Sequence, residues 1–206
     1  LKRWFLATFF GFKLHPTARI GFSWVYPKRL EMGKNSRIDH LVVAVHLDQM
    51  VLGESATVGR RTWITGFPRG DQRHFGHQTD RDPSLVMGEH SAITKNHHID
   101  CTSRVTIGRF STIGGYYSQL LSHSIDILAN RQDSAPITIG EYCFVGTGVI
   151  ILGGANLPDR SVLGAGALLN DALKEPGFLH AGVPARPIHR IPEDAGYFHR
   201  KTGKVQ

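Results

Sequence analysis

Sulfur and long hydrophobic runs are both scarce in this chain: 206 residues hold two cysteines and three methionines. Cys101 and Cys143 each sit inside repetitive sequence. They read as small apolar side chains in a core rather than as a disulfide or a metal pair. Nothing else points to an oxidising compartment, so the expected location is cytoplasmic. The most apolar stretch, LKRWFLATFFGF at the start, runs for about ten residues, half of the roughly 20 that a membrane-spanning helix needs. It also lacks the small-residue cleavage site of a signal peptide. Residues 1–30 are expected to pack on or cap the domain, with weak peripheral membrane association as the alternative. A stripe of Lys and Arg interleaved with aromatic residues is missing too, which argues against a nucleic-acid groove. The charge that is present, 24 Lys+Arg against 17 Asp+Glu for a formal +7, favours anionic partners such as phosphates.

What the chain has in quantity is a period of six. Ile139, Val145, Ile151, Leu157, Leu163 and Leu169 are evenly spaced, and Gly140, Gly146, Pro158 and Gly164 follow four of them. The same beat runs through Met32 and Ile38, through Leu52, Val58 and Ile64, and through Met87, Ile93, Ile99 and Val105. After a two-residue shift it continues at Ile107 and Ile113. Six matches neither a helix at 3.6 nor a strand at 2. It matches short strands joined by tight turns, one hexad to each side of a three-sided coil, with the aliphatic residue pointing into the bore. The glycine that follows supplies freedom for the corner. Each coil relies on its neighbours for burial and for backbone pairing. The spacing therefore predicts a parallel β-helix over residues 31–170. A β-sandwich would show period-two alternation and hairpin turns instead.

The beat breaks at about 65–86 and at 116–136. The second break contains LLSHSID and a histidine, His123. Insertions that leave a solenoid tend to gather on one binding face. Residues 171–206 form a C-terminal extension in which AGVPARPI reads as an extended cap; the polar tail EDAGYFHRKTGKVQ is expected to be poorly ordered.

ITIGEYCFVGTGVIILGGANLPDRSVLGAGALLN, followed by GVPARPIHRI, resembles the hexapeptide-repeat acyltransferases, most of all the O-acetyltransferases of sugar and surface-polysaccharide biosynthesis. The resemblance is closest over residues 105–191. It implies an all-β, left-handed parallel β-helix with protruding loops, assembled as a homotrimer that binds acetyl-CoA in clefts between coils. It implies a general-base histidine in a loop at that cleft, and His123 matches in position. Neutral imidazole, with a pKa near 6.5, suits removal of a proton from a weak nucleophile. Asp126 could orient the ring or simply face solvent. The family's second polar residue near the acceptor falls at Asn96, with His97 or His98 able to share the role, or these residues could do no more than cap a corner. Gly146, Thr147, Ala165 and Gly166 match the small residues beside the pantetheine arm, though tight corners demand small residues as well. Arg186 matches the basic residue that meets a CoA phosphate, for which the guanidinium fork is suited, and Arg190 is a second.

One departure concerns the cofactor: relatives often carry Lys after the GAG hexads, where this chain has Asn170-Asp171, and Lys174 is the nearest substitute. Tyr116-Tyr117 and the 65–86 insertion are candidate acceptor walls. No metal is expected. Two rivals stand beside the acyltransferase: a zinc enzyme similar to gamma-class carbonic anhydrases, for which twelve histidines leave room, and a non-catalytic binding protein. The acceptor stays open among sugars, polysaccharide units and amines.

Overall fold

The computed structural model describes residues 8–205. Its architecture is the expected left-handed parallel β-helix. Three sheets of seven, nine and seven strands make the faces of a triangular coil. The first face runs from Lys13–Leu14 to Asn156–Leu157, the second from Arg19–Ile20 to the C-terminal hairpin, and the third from Trp24–Tyr26 to Leu168–Leu169. Successive strands visit the faces in turn, so strands one coil apart pair in parallel, as His98–Asp100 does with Gln119–Leu121.

Every aliphatic residue that the six-residue beat marks lies in the bore and is at most 3% exposed. The shift between Val105 and Ile107 has a simple cause. Both belong to the strand Val105–Ile107 of the first face, and both point inward with Thr106 between them. Leu30 and Met32, and Ile137 and Ile139, repeat this arrangement. Both cysteines are buried and unpaired.

The glycine after the hexad aliphatic has a different task from the one expected. A Cβ on Gly108 would lie 2.4 Å from the carbonyl oxygen of Gly140, one coil above, so the missing side chain lets backbones stack. The left-handed corner falls two residues later, on side chains such as Phe110 and Tyr142 with φ near 57° and 55°. Such a φ is unfavourable for a non-glycine residue. The corners are held by a ladder of their own: the Tyr142 N–H donates to the Arg109 carbonyl at 2.9 Å, and the Phe110 N–H to the Glu89 carbonyl at 2.9 Å.

Several boundaries move. The coil begins at Lys13–Leu14, which pairs with Arg29–Met32, so residues 13–30 form its first turn. Phe12 plugs the core, while residues 1–7 of the expected N-terminal segment lie outside the described residues. No helix among the described residues is long and apolar enough to cross a membrane. The second interruption spans 122–136 rather than 116–136, because Gln119–Leu121 is a regular strand of the third face. Gly114-Gly115 lengthens its corner, so Leu120 falls seven residues after Ile113 and hides the beat. The first interruption is likewise 66–83, between Trp63–Thr65 and Ser84–Met87.

Both loops leave the same edge, where the third face turns into the first, and we call this the loop edge. Residues 66–83 carry the short helix Gln72–Phe75, capped by Asp71, whose Oδ1 accepts from the His74 N–H at 2.9 Å. Residues 122–136 form the antiparallel hairpin His123–Asp126 with Arg131–Ser134. Gln78 ties the loops together: it donates to the Ser134 carbonyl at 3.0 Å and accepts from Ser134 Oγ at 2.7 Å. The C-terminal hairpin Phe178–Gly182 and Ala185–Arg190 extends the second face. The tail beyond it is packed, contrary to expectation: Phe198 is buried, Tyr197 Oη donates to the Cys143 carbonyl at 3.0 Å, and the Gly203 N–H meets His90 Nδ1 at 3.2 Å.

Candidate active site

His123 opens the hairpin strand on the loop edge, and its ring folds back onto the coil below. Its Nδ1 lies 2.8 Å from Oδ2 of Asp100, the last residue of the strand His98–Asp100. The same oxygen accepts from the His123 N–H at 2.9 Å and from Ser122 Oγ at 2.8 Å. The other oxygen, Oδ1, accepts from Thr102 Oγ1 at 2.6 Å and from the Thr102 N–H at 3.2 Å. Asp100 is only 7% exposed. Burial pushes its pKa up, but the hydrogen bonds from His123, Thr102 and Ser122 outweigh that, and the carboxyl is held below its ordinary value. An ionised carboxylate only accepts, so Nδ1 carries the proton and Nε2 presents a lone pair.

The ring is also walled. Phe67 meets it edge-on at 5.5 Å between centroids and Phe75 at 6.2 Å, both from the 66–83 loop. Buried Arg81 secures this wall, donating from Nη1 to the carbonyls of Phe67 at 2.7 Å and Thr102 at 2.8 Å, and stacking 4.2 Å from the Phe75 ring. A half-buried imidazole with one nitrogen fixed by a carboxylate and the other free is equipped to take a proton from a hydroxyl.

Asp126 does not orient His123. Three residues along a strand is about 10 Å, and Asp126 Oδ1 instead accepts from the Leu128 and Ala129 N–H groups at 3.0 and 3.1 Å, shaping the hairpin tip. The partner that sequence reasoning missed is Asp100. It stands one coil below the loop: Asp100 is paired with Leu121, two residues before His123. Counting one coil back from the histidine would have found it.

Asn96 sits at the left-handed corner where the second face turns into the third, at the opposite end of the strand His98–Asp100 from Asp100. We call this the open edge. His98 lies on the outer surface of the third face between Trp63 and Gln119. His97 turns inward instead: its Nε2 is 2.9 Å from Thr94 Oγ1 and its Nδ1 accepts from the Ser118 N–H at 3.2 Å. Burial pushes its pKa down to about 4, so it stays neutral and structural.

Gly146, Thr147, Ala165 and Gly166 do come together, on the open edge. The Gly166 N–H donates to the Thr147 carbonyl at 2.9 Å. A Cβ on Gly146 would lie 2.7 Å from the Ala165 nitrogen. Thr147 Oγ1 is 3.0 Å from both the N–H and the carbonyl of Tyr116. Beside them, Gly148 and Gly166 would point a Cβ into empty space, so the edge is bare. Arg186 stands at the hairpin turn beside this column, opposite Ala181, whose Cβ faces Gly164. Arg190 is at the far end of the same strand, 5.2 Å from the Phe178 ring and 3.9 Å from Glu193, and is separated from the column. Lys174 also falls away from it: the chain after Leu169 crosses to the first face, where Ala172 bridges Asn156.

No family model matches the chain. The galactoside O-acetyltransferase of Escherichia coli is 28% identical over 154 residues, 73% of this chain and 71% of that protein. A hexapeptide-repeat acetyltransferase of Vibrio cholerae, solved with acetyl coenzyme A, is 25% identical with a TM-score of 0.55, covering 69% of this chain and 71% of its own. The chain is similar in sequence and in fold to hexapeptide-repeat acetyltransferases. The N-acyltransferase AntD of Bacillus cereus shares the fold at 13% identity, with a TM-score of 0.67 over 82% of this chain and 87% of its own.

Two groups of candidate residues therefore lie on different edges of one coil. The His123–Asp100 pair is on the loop edge, and the bare column with Asn96 and Arg186 is on the open edge. Among the described residues no three His, Cys, Asp or Glu side chains converge as donors for a metal.

Proposed function

We propose that the protein transfers the acetyl group of acetyl-CoA to a hydroxyl of a sugar or polysaccharide precursor, with His123 as the general base. The observation that carries this reading is the free Nε2 of His123, set by the 2.8 Å contact of Nδ1 with Asp100. Acetyl-CoA supplies a thioester carbonyl. The acceptor oxygen attacks that carbon, His123 Nε2 takes the hydroxyl proton, the C–S bond breaks, and the proton passes on to the departing sulfur. Asp100 keeps the ring in the right tautomer and stabilises the imidazolium formed in between.

The two groups of residues support assembly as a trimer. His123 reaches down to the coil that contains Asn96 and Asp100, so the His123–Asp100 pair and Asn96 stand at about one height, with the bare column rising from Asn96. A closed ring of copies about an axis parallel to the coil involves rotation without translation. It sets one copy's loop edge against its neighbour's open edge at equal height. The pantetheine arm then runs along the bare column, with Arg186 at the phosphate end and Asn96 near the acceptor.

The test is release of free thiol from acetyl-CoA against a panel of hydroxyl and amino sugars. Release that depends on a hydroxyl sugar is expected. No release with any member, or release only with amines, would contradict O-acetylation.

A further inference from the structure

Along the open edge, on the N-terminal side of the bare column, lies a cleft of about 370 Å³ lined by His40, Leu41, Arg60, Arg61, Lys95 and Asn96. Its volume falls in the range of small-ligand pockets, about 300–1,000 Å³. Three cations line it and no acid does. The nearest carboxylate, Asp39, is shared between Arg37 at 3.2 Å and Arg60 at 3.7 Å. Arg61 and Lys95 have no carboxylate partner among the described residues; Lys95 instead lies 5.0 Å from the Tyr116 ring. His40 Nδ1 accepts from the Phe22 N–H at 3.1 Å, which leaves Nε2–H as a further donor.

The cations of the cleft on the loop edge are already committed. That cleft, about 590 Å³ on the loop edge, holds Arg69, Arg81 and Arg104. Arg104 donates to Asp82 at 2.7 Å, Arg81 to backbone carbonyls, and Arg69 to the Arg81 carbonyl at 2.8 Å. In the open-edge cleft, by contrast, Arg61 and Lys95 keep their positive charge for a ligand.

Height decides which ligand. Coils stack about 4.8 Å apart, and from Gly166 the rungs descend through Thr147 and Tyr116 to Asn96 and then to Arg60-Arg61. Arg186 is at the opposite end of this edge, where the cofactor's phosphates are placed. The acyl carbon then lies at the rung of Asn96, and Arg60, Arg61 and Lys95 lie at and beyond it, on the acceptor's side.

We propose that Arg61, Lys95 and Arg60 form a subsite for the negative group of an acidic sugar, so that the preferred acceptor carries a carboxylate or phosphate beside the hydroxyl that is acetylated. This rests on the acetyl-transfer reading above and narrows its substrate class. Guanidinium and ammonium groups at such a cleft bind the anion and also steer its approach, an effect that salt weakens.

The experiment compares methyl glucoside, methyl glucuronide and methyl glucoside 6-phosphate as acceptors, in wild type and in the Arg61→Gln/Lys95→Gln double variant. Wild type should favour one or both anionic acceptors over the neutral one in kcat/KM, on the order of tenfold. Salt should shrink that preference and the double variant should abolish it, while the acetyl-CoA saturation curve is unmoved. The glucuronide and phosphate arms tell a carboxylate site from a phosphate site. Equal kcat/KM for all three, a preference that survives the double variant, or a raised KM for acetyl-CoA in its place overturns the subsite. Calorimetric titration of the CoA-loaded protein with the same three compounds separates this from failure of the chemistry. Anion binding that the double variant loses, without acetyl transfer, keeps the subsite and refutes the transferase reading; no anion binding and no transfer refutes the subsite.

Discussion

At the scale of single residues, two carboxylates compete for the role of orienting His123, and geometry separates them. Asp100 touches the ring at Nδ1, whereas Asp126 is spent on the hairpin tip. Asp100→Asn replaces a pure acceptor with an amide that can favour the wrong tautomer. It is expected to lower kcat by about 10²–10⁴-fold, while Asp126→Asn leaves steady-state kcat unchanged. His97 sets a pH limit on stability. Its folded pKa of about 4 is below the ordinary 6.5, so between these values the unfolded chain binds a proton that the native state refuses. Stability is therefore complete above pH 6.5 and falls as the pH drops toward 4, by on the order of 3 kcal/mol. Asp100 acts in the same sense at lower pH: its stabilisation is present above the ordinary carboxyl pKa and is lost as pH falls through its depressed folded value. Melting temperatures taken from pH 7 to pH 4 should fall, and should fall less in His97→Asn.

At the scale of elements, the coil is held by close backbone stacking, and Gly108 tests that. Its Cβ would meet the Gly140 carbonyl oxygen at 2.4 Å. Gly108→Ala should therefore cost about 1–3 kcal/mol by overpacking, seen as a melting temperature several degrees lower. Gly196→Ala, where a Cβ meets nothing within 4 Å, should leave it unchanged. The coil was legible in the sequence because the bore accepts only aliphatic side chains at a fixed spacing. Legibility failed where one strand sends two residues inward, as at Val105 and Ile107, and where the Gly114-Gly115 corner adds a residue. It failed again at residues 13–30, whose short strands carry fewer hexad marks. His123 could be located because the pattern breaks around it. Asp100 could not, because its bond to His123 crosses between coils and joins residues 23 apart. That Arg190 and Lys174 emerge away from the bare column was hidden for a related reason, since spacing along the chain does not say on which edge a residue emerges.

At the scale of the whole molecule, the proposed mechanism joins His123 on the loop edge with the open edge of a second copy. Mixed assemblies test this. On the proposed mechanism His123→Ala removes the base and Ala165→Trp blocks the bare column, so each alone should be inactive. Co-expressed and purified together, they should recover part of the wild-type rate, because the intact His123 of one copy faces the intact open edge of another. Recovery depends on the copies sharing sites, and sizing by light scattering should show three chains per particle. The most direct measurement for the central claim is acetyl-CoA-dependent turnover by His123→Ala beside its affinity for acetyl-CoA. Loss of about 10²–10⁴-fold in kcat, with acetyl-CoA binding retained, is the predicted result. Turnover equal to wild type would contradict His123 as the base.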